Sequence, residues 1–275
     1  MTRTVYSTIW MIILTLATFA QGNLDNVHLF QNFYRDATIT SNLYGEGLLN
    51  YANTSSDNVS ISNLKIGARG GYGINPNLEV NAGLGFVNYS VSIDTPVGDE
   101  SDSESGISDL TVAGRYRVFE QDALRVNGGA FLTLPIGSED VGAGKLDFGL
   151  FGAARYGLTN GMVITGALGL DFYETTDLEY VEPTFQDGQF IGGGYEENTE
   201  YKNSLVLAGG LIYPYSETLA IVGELMFKTA VEYAMLSGGV DYLLQKNGRV
   251  RGALGIGLDD GAPDIMLLVS YLMAF

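Results

Sequence analysis

Cysteine is absent from this chain, which excludes a disulfide framework and any thiolate metal centre. Histidine occurs once, as His28, so a Ser-His hydrolase or an Asp-His protease would have to draw its base from a segment preceding the first predicted strand. Carboxylate-only catalysis needs no histidine, but nothing in the chain points to it. The expectation is a protein that is not an enzyme, with no cofactor and no metal site. Basic residues are also scarce: 14 Lys and Arg stand against 32 Asp and Glu, a formal charge of −18. That balance excludes the phosphate attraction on which nucleic-acid binding depends. Long apolar runs are missing too. Although 46% of residues are hydrophobic, none of the runs beyond the N-terminus approaches the ~20 residues of a membrane helix. A membrane protein of this composition must therefore be a closed sheet, the other way to satisfy every backbone group in lipid.

What is present fits that alternative. The chain holds 37 Gly, 17 Tyr and 13 Phe, suited to strands, tight turns and aromatic girdles. Strand-like segments follow one another at 39–52, 59–73, 78–92, 106–119, 123–136, 145–157, 161–174, 200–214, 218–228, 233–245, 248–258 and 264–275. In 59–73, Leu64, Ile66 and Ala68 alternate with Lys65, Gly67 and Arg69. In 248–258, Val250, Leu254 and Ile256 oppose Arg249 and Arg251. A side-chain period of two sends one set to each face of a sheet. A soluble β-sandwich would alternate equally, but connection length separates the two. Ile74–Asn77, Glu120–Asp122, Leu158–Asn160, Pro214–Glu217 and Gln245–Gly248 are tight, whereas 53–58, 93–105, 137–144 and 175–199 are longer. Short turns on one rim and long loops on the other characterise outer-membrane barrels. The fold class is all-β: a transmembrane antiparallel up-and-down β-barrel of about 12 strands over residues 39–275, in the outer membrane of a Gram-negative bacterium, with both termini periplasmic.

Residues 1–22 differ from the rest. Arg3, an apolar core from Ile9 to Ala17 and a small residue at Ala20 or Gly22 predict a secretory signal peptide. The alternative is a permanent N-terminal anchor. Residues 23–38 form a periplasmic or lumen-entering segment in which Val27, Phe30, Phe33 and Tyr34 approach helical spacing. His28 in this segment reads as a solvated surface residue.

Parity assigns the strand charges to the lumen, because a lipid-facing Arg or Lys at midplane costs about 2–4 kcal/mol. The lumen and selectivity candidates are Lys65, Arg69, Arg115, Arg117, Arg125, Arg155, Glu224, Arg249 and Arg251. Asp147, Asp171, Asp241, Glu46, Glu79 and Lys228 point the same way. Such a lining predicts a channel whose arginines favour small anionic or aromatic-acid solutes. The alternative is an ion-paired lumen in a non-conducting structural, adhesin or receptor barrel. Segments 93–105 and 175–199 carry unbalanced Asp and Glu and could hold Ca²⁺ or Mg²⁺ bridging lipopolysaccharide, or be merely solvated. Val141–Leu146 is no phosphate loop, since it lacks the Ser/Thr after Lys145 and a following helix. The terminal run Val269–Phe275 alternates apolar residues and ends in Phe275, the expected signal to the barrel-assembly machinery.

Residues 106–117, Gly-Ile-Ser-Asp-Leu-Thr-Val-Ala-Gly-Arg-Tyr-Arg, followed by Gly129–Gly137 with its Pro135-Ile136-Gly137 ending and a Gly-rich hairpin from Leu146 to Leu170, carry a family likeness. The chain resembles the outer-membrane barrels of the MetA-pathway-of-phenol-degradation, transporter-like family. The resemblance implies passive uptake of small, aromatic or hydrophobic compounds.

Overall fold

A computed structural model describes residues 27–275 except 57, 96, 97, 140, 143, 182, 183, 187, 188, 192 and 193, with side chains described outside 95–99 and 175–199. The expected signal peptide over 1–22 lies outside the described residues. The chain runs through β1 (Leu43–Ser56), β2 (Val59–Asn75), β3 (Leu78–Thr95), β4 (Gly98–Ile107), β5 (Leu110–Gln121), β6 (Leu124–Leu134), β7 (Asp147–Gly157) and β8 (Val163–Val181). Two short strands, β9 (Thr184–Gln186) and β10 (Gln189–Ile191), pair with each other. Then follow β11 (Gly194–Pro214), β12 (Leu219–Lys228), β13 (Tyr233–Gln245), β14 (Gly248–Gly257) and β15 (Ile265–Ala274).

Every neighbouring pair is antiparallel, and the sheet closes because β1 pairs with both β2 and β15, from Tyr44↔Ala274 to Asn53↔Ile265. β3 pairs with β5 along Leu78–Gly83 and with β4 along Phe86–Thr95. β4 and β5 are thus one stave interrupted at Ser108-Asp109, and the barrel is twelve-stranded with one extra strand. The expected fold class holds.

The interruption explains the Gly-x-x-Asp-Leu run. The Ser108 hydroxyl accepts the Gly85 amide at 2.9 Å, and Asp109 Oδ1 accepts the Gly137 amide at 2.9 Å. The Ser138 hydroxyl accepts the Ile107 amide at 2.9 Å. A Cβ at Gly137 would sit 2.7 Å from both Asp109 Oδ1 and the Ile107 carbonyl, so the turn approaches the broken strand only with glycine there. The motif is a clasp between the strand break and the β6–β7 connection.

Three expectations change. The acidic segment 93–105 and much of 175–199 are not loops: β3 and β4 continue as a hairpin, and β8 pairs with β11 as far as Val181↔Gly194. Backbone pairing needs no apolar face, and the strands outrun their alternating pattern. The first strand covers Leu43–Ser56 rather than 39–52, since the residues before Leu43 belong inside the barrel. Over the described part of 23–38, residues 27–38, the chain is not an amphipathic helix but enters the lumen with a single 3-10 turn, Phe33–Arg35.

The face assignment follows parity. Leu64, Ile66, Leu150, Leu168, Leu207, Leu236, Leu254 and Leu267 are all exposed on the outer surface. Tyr72, Tyr116, Tyr156, Tyr215 and Tyr242 ring the tight-turn end, while Tyr51, Phe86, Phe148, Tyr201 and Phe227 lie toward the other. Phe148 and Tyr156 bracket β7 eight residues apart, about 26 Å along a strand at ~3.3 Å per residue. With a tilt of about 35–45° that spans roughly 20 Å of height, near the ~25 Å apolar band of such barrels.

The buried hydrophobic core is inside the barrel. Val27, Leu29 and Phe30 pack against Val163, Ile212, Val222 and Leu268, and Phe33 packs against Tyr44 and Leu272. Each large apolar side chain buried this way contributes about 1.5–3 kcal/mol.

Candidate functional site

Residues 27–42 enter the lumen and plug it, and the wall holds them by their backbone. Glu224 of β12 accepts the amides of Phe30, of Gln31 at 3.1 Å and of Asn32 at 3.4 Å. Glu79 of β3 accepts the Thr40 amide at 2.6 Å. Arg115 of β5 donates to the carbonyls of Phe33 at 3.0 Å and Asp36 at 3.3 Å, and Arg155 of β7 donates to that of Val27 at 3.1 Å. Arg69 donates to the Phe30 carbonyl at 3.2 Å, Asn127 to that of Ala37 at 2.7 Å, and Arg251 to that of His28. Extended backbone in a water-poor interior must find partners for every N–H and C=O, and here the strands supply them.

The same arginines are matched to carboxylates. Glu46 receives Arg69 at 2.6 Å, Arg251 at 2.7 Å and the Ser270 hydroxyl at 2.5 Å. Asp241 receives Arg251 at 3.0 Å and also Arg249, while Glu79 receives Arg115 and the Tyr44 hydroxyl. The Arg69 guanidinium lies 3.9 Å from the Phe33 ring centroid, and that of Arg251 lies 4.5 Å from Phe30. Arg69, Arg115 and Arg251 are thus each held twice, by an opposite charge and by a carbonyl of the plug. Removing one member would leave a buried charge behind, which costs far more than the intact pair contributes.

Of the residues expected in the lumen, Arg69, Arg115, Arg155, Arg251 and Glu224 therefore converge on the plug. Arg249 joins them through Asp241. Arg117 and Arg125 do not: both pair with Glu120 at the tight-turn rim, at 2.9 Å and 3.0 Å. Lys65 lines a cavity that Phe30, Tyr34 and Arg35 of the plug also line. His28, expected at a solvated surface, is buried between the Phe33 and Tyr44 rings. Burial, with Arg115 and Arg251 nearby, holds its pKa well below the usual histidine value. Tyr44 and Asn127 were not among the candidates. Their signal was available, since each lies in an inward position of a strand whose alternate residues face lipid.

Beyond the plug, toward the long hairpins, the lumen opens into two adjoining cavities of about 310 and 300 Å³ that share Arg35 and Lys228. A smaller one of about 120 Å³, lined by Arg125 and Arg155, lies on the tight-turn side. Arg35 rises from the plug into the larger space, gripping Asp171 through 2.7 and 2.6 Å hydrogen bonds and lying 4.6 Å from the Phe131 ring centroid.

A closed twelve-stranded sheet with apolar residues outside, charge inside and aromatic girdles at both ends defines an outer-membrane β-barrel of the porin-like kind. More narrowly, residues 36–273 match the family model described as "Putative MetA-pathway of phenol degradation", and the chain belongs to that family. No curated protein sequence matches it. Among solved structures, it is similar to an outer membrane channel from Pseudomonas putida F1, with 14% identity, 90% of this chain and 100% of that one covered, and a TM-score of 0.61. It is also similar to the translocator domain of the autotransporter NalP from Neisseria meningitidis, with 13% identity, 86% and 90% coverage, and a TM-score of 0.52. At these identities the likeness concerns the fold.

Proposed function

We propose that the protein is an outer-membrane channel through which small organic solutes enter the periplasm by passive diffusion, with residues 27–42 forming the constriction. The carrying observation is the pair of cavities of about 310 and 300 Å³ between the plug and the long-hairpin end. A barrel serving only as a scaffold gains nothing from a polar vestibule that narrows onto a lumen-entering segment. In this reading the long hairpins face outside, the tight turns and both termini face the periplasm, and Phe275 guides assembly. Arg115 and Arg251 hold the constriction rather than line the path, and selectivity belongs to the charges of the vestibule. The solutes are small, with apolar or aromatic bodies, in keeping with the membership of the family and with an inner wall that carries Phe131, Tyr233 and Met266.

The second reading, a non-conducting structural or receptor barrel, draws support from the number of wall groups that grip the plug. Liposome swelling with the refolded protein separates the two. Swelling that slows as solute size increases supports the channel. No swelling with any solute, alongside a flat current trace in planar bilayers at several salts, overturns it.

A further inference from the structure

Within the larger vestibule cavity the charges do not balance. Its described lining contains Arg35, Lys65, Arg69 and Lys228 and no Asp or Glu, in a chain whose net charge is −18. Arg35 is matched to Asp171 and Arg69 to Glu46. Even so, Arg35 Nε and Arg69 Nη2 are buried donors without an acceptor. Among the described residues, Lys65 and Lys228 have no hydrogen bond and no carboxylate at ion-pair distance; the companion of Lys228 is the Tyr233 ring, 5.4 Å away. Asp147 and Asp171 attract Lys228 from the adjoining cavity, beyond ion-pair distance, and the charge nearest in influence to Lys65 is Arg69. Elsewhere the wall brings cation and carboxylate into contact, so two ammonium groups without a contact partner in one cavity are a cost without a structural return. The rest of the lining includes Phe30, Tyr34, Tyr233, Met226 and Met266. Aromatic and thioether groups of this kind pack against the face and edge of a ring.

We propose that this cavity is a binding subsite for a small aromatic carboxylate, with the carboxylate received by Lys65 and Lys228 and the ring packed against the tyrosines and methionines. A cavity of about 310 Å³ is at the small end of ligand pockets, which run from about 300 to 1,000 Å³, and suits a single ring. The vestibule then concentrates its solute above the constriction. This assignment deepens the channel reading and rests on it for its biological purpose, but not for its test.

The test is calorimetric titration of the refolded full-length protein in detergent micelles with benzoate, benzyl alcohol and acetate, using barrels verified by heat-modifiable gel mobility. Benzoate is expected to bind saturably and more tightly than either comparison ligand. Lys65→Gln and Lys228→Gln should each weaken benzoate about tenfold, as loss of a charge-assisted hydrogen bond does, and leave benzyl alcohol unchanged. Lys65→Arg with Lys228→Arg should retain binding. Equal affinities for benzoate and benzyl alcohol, unchanged benzoate affinity in the glutamine variants, or no saturable benzoate heat would each overturn the proposal. Acetate binding as tightly as benzoate would overturn its aromatic half. Because the readout is binding in micelles, it can succeed where liposome swelling fails, and the two proposals fail separately.

Discussion

Glu224→Gln is the sharpest test of how the plug is held. Glu224 Oε1 accepts the Phe30 amide, and Oε2 accepts those of Gln31 and Asn32. A glutamine has the same shape but one acceptor oxygen. Whichever way its amide lies, either Phe30 or the Gln31–Asn32 pair meets an NH₂ group instead of an acceptor. One or two hydrogen bonds to a charged group are lost at about 1.5–3 kcal/mol each, and the survivor weakens because its acceptor is neutral. Local opening of the plug should become easier by at least about 2 kcal/mol, roughly a 30-fold change in its equilibrium at 1.4 kcal/mol per tenfold. Amide hydrogen exchange reads this directly. Exchange across residues 29–33 should accelerate at least about 30-fold, while the β12 and β13 amides keep their protection. Conductance in planar bilayers should rise in the same variant. If exchange across this segment changed less than about threefold in a correctly assembled barrel, Glu224 would not be the latch.

Arg115→Met should lower stability by about 3–5 kcal/mol, since it strands the buried Glu79 carboxylate; adding Glu79→Leu should restore much of the loss, both read from urea unfolding followed by gel mobility. Gly137→Ala should lower the urea midpoint by an amount equivalent to about 1–3 kcal/mol, because its Cβ would meet the Asp109 carboxylate and the Ile107 carbonyl at 2.7 Å. His28 makes plug docking sensitive to acid. Its environment holds Arg115, Arg251 and Arg155, with Glu46 as the opposing charge and Asp36 3.9 Å from the ring. With its pKa depressed in the docked state, the undocked state binds more protons; docking is strongest above the ordinary value of about 6.5 and weakens as pH falls below it. The protection factors of the plug amides, each referred to the intrinsic exchange rate at the same pH, should therefore fall between about pH 7 and 5, and His28→Gln should remove that pH dependence.

Much of the barrel was legible because lipid imposes one rule on every strand. Where Ile66, Leu150 or Leu254 faces outward, its neighbours Lys65, Gly149 and Gly255 must face inward, so the inward set could be listed from parity alone. Partnership within that set was not legible. Arg251 meets Glu46 across the closing seam between β1, β15 and β14, a neighbourhood that exists only once the barrel has closed. The path of the plug was left open between alternatives for a different reason. Phe30, Phe33 and Tyr34 have helical spacing, but a helix is required only when a segment must satisfy its own backbone, and here the wall does so. One clue was present in β15, whose inner residues Met266, Leu268 and Leu272 are as apolar as its outer ones, as expected of a strand with hydrophobic contacts on both faces. The acidic stave β4 was hidden because Asp102, Ser103 and Glu104 have no apolar alternation; register with β3, not side-chain chemistry, keeps them extended.

Most of the hydrogen bonds by which the wall holds the plug go to main-chain atoms: the amides of Phe30, Gln31, Asn32 and Thr40, and the carbonyls of Val27, His28, Phe30, Phe33, Asp36 and Ala37. That part of the recognition is blind to side-chain identity, unlike the Arg35–Asp171 pair and the packing of Phe30 and Phe33. Positions such as Asn32, held by its amide while its side-chain atoms have no hydrogen-bond partner among the described residues, can drift between species while the segment keeps its path, with proline the one replacement forbidden there, and mutational constraint shifts to the barrel residues that do the holding. Homologues should accordingly vary more in their plugs than in Glu224, Arg115 and Arg251, which leaves the segment free to adapt to new solutes without relearning how to dock.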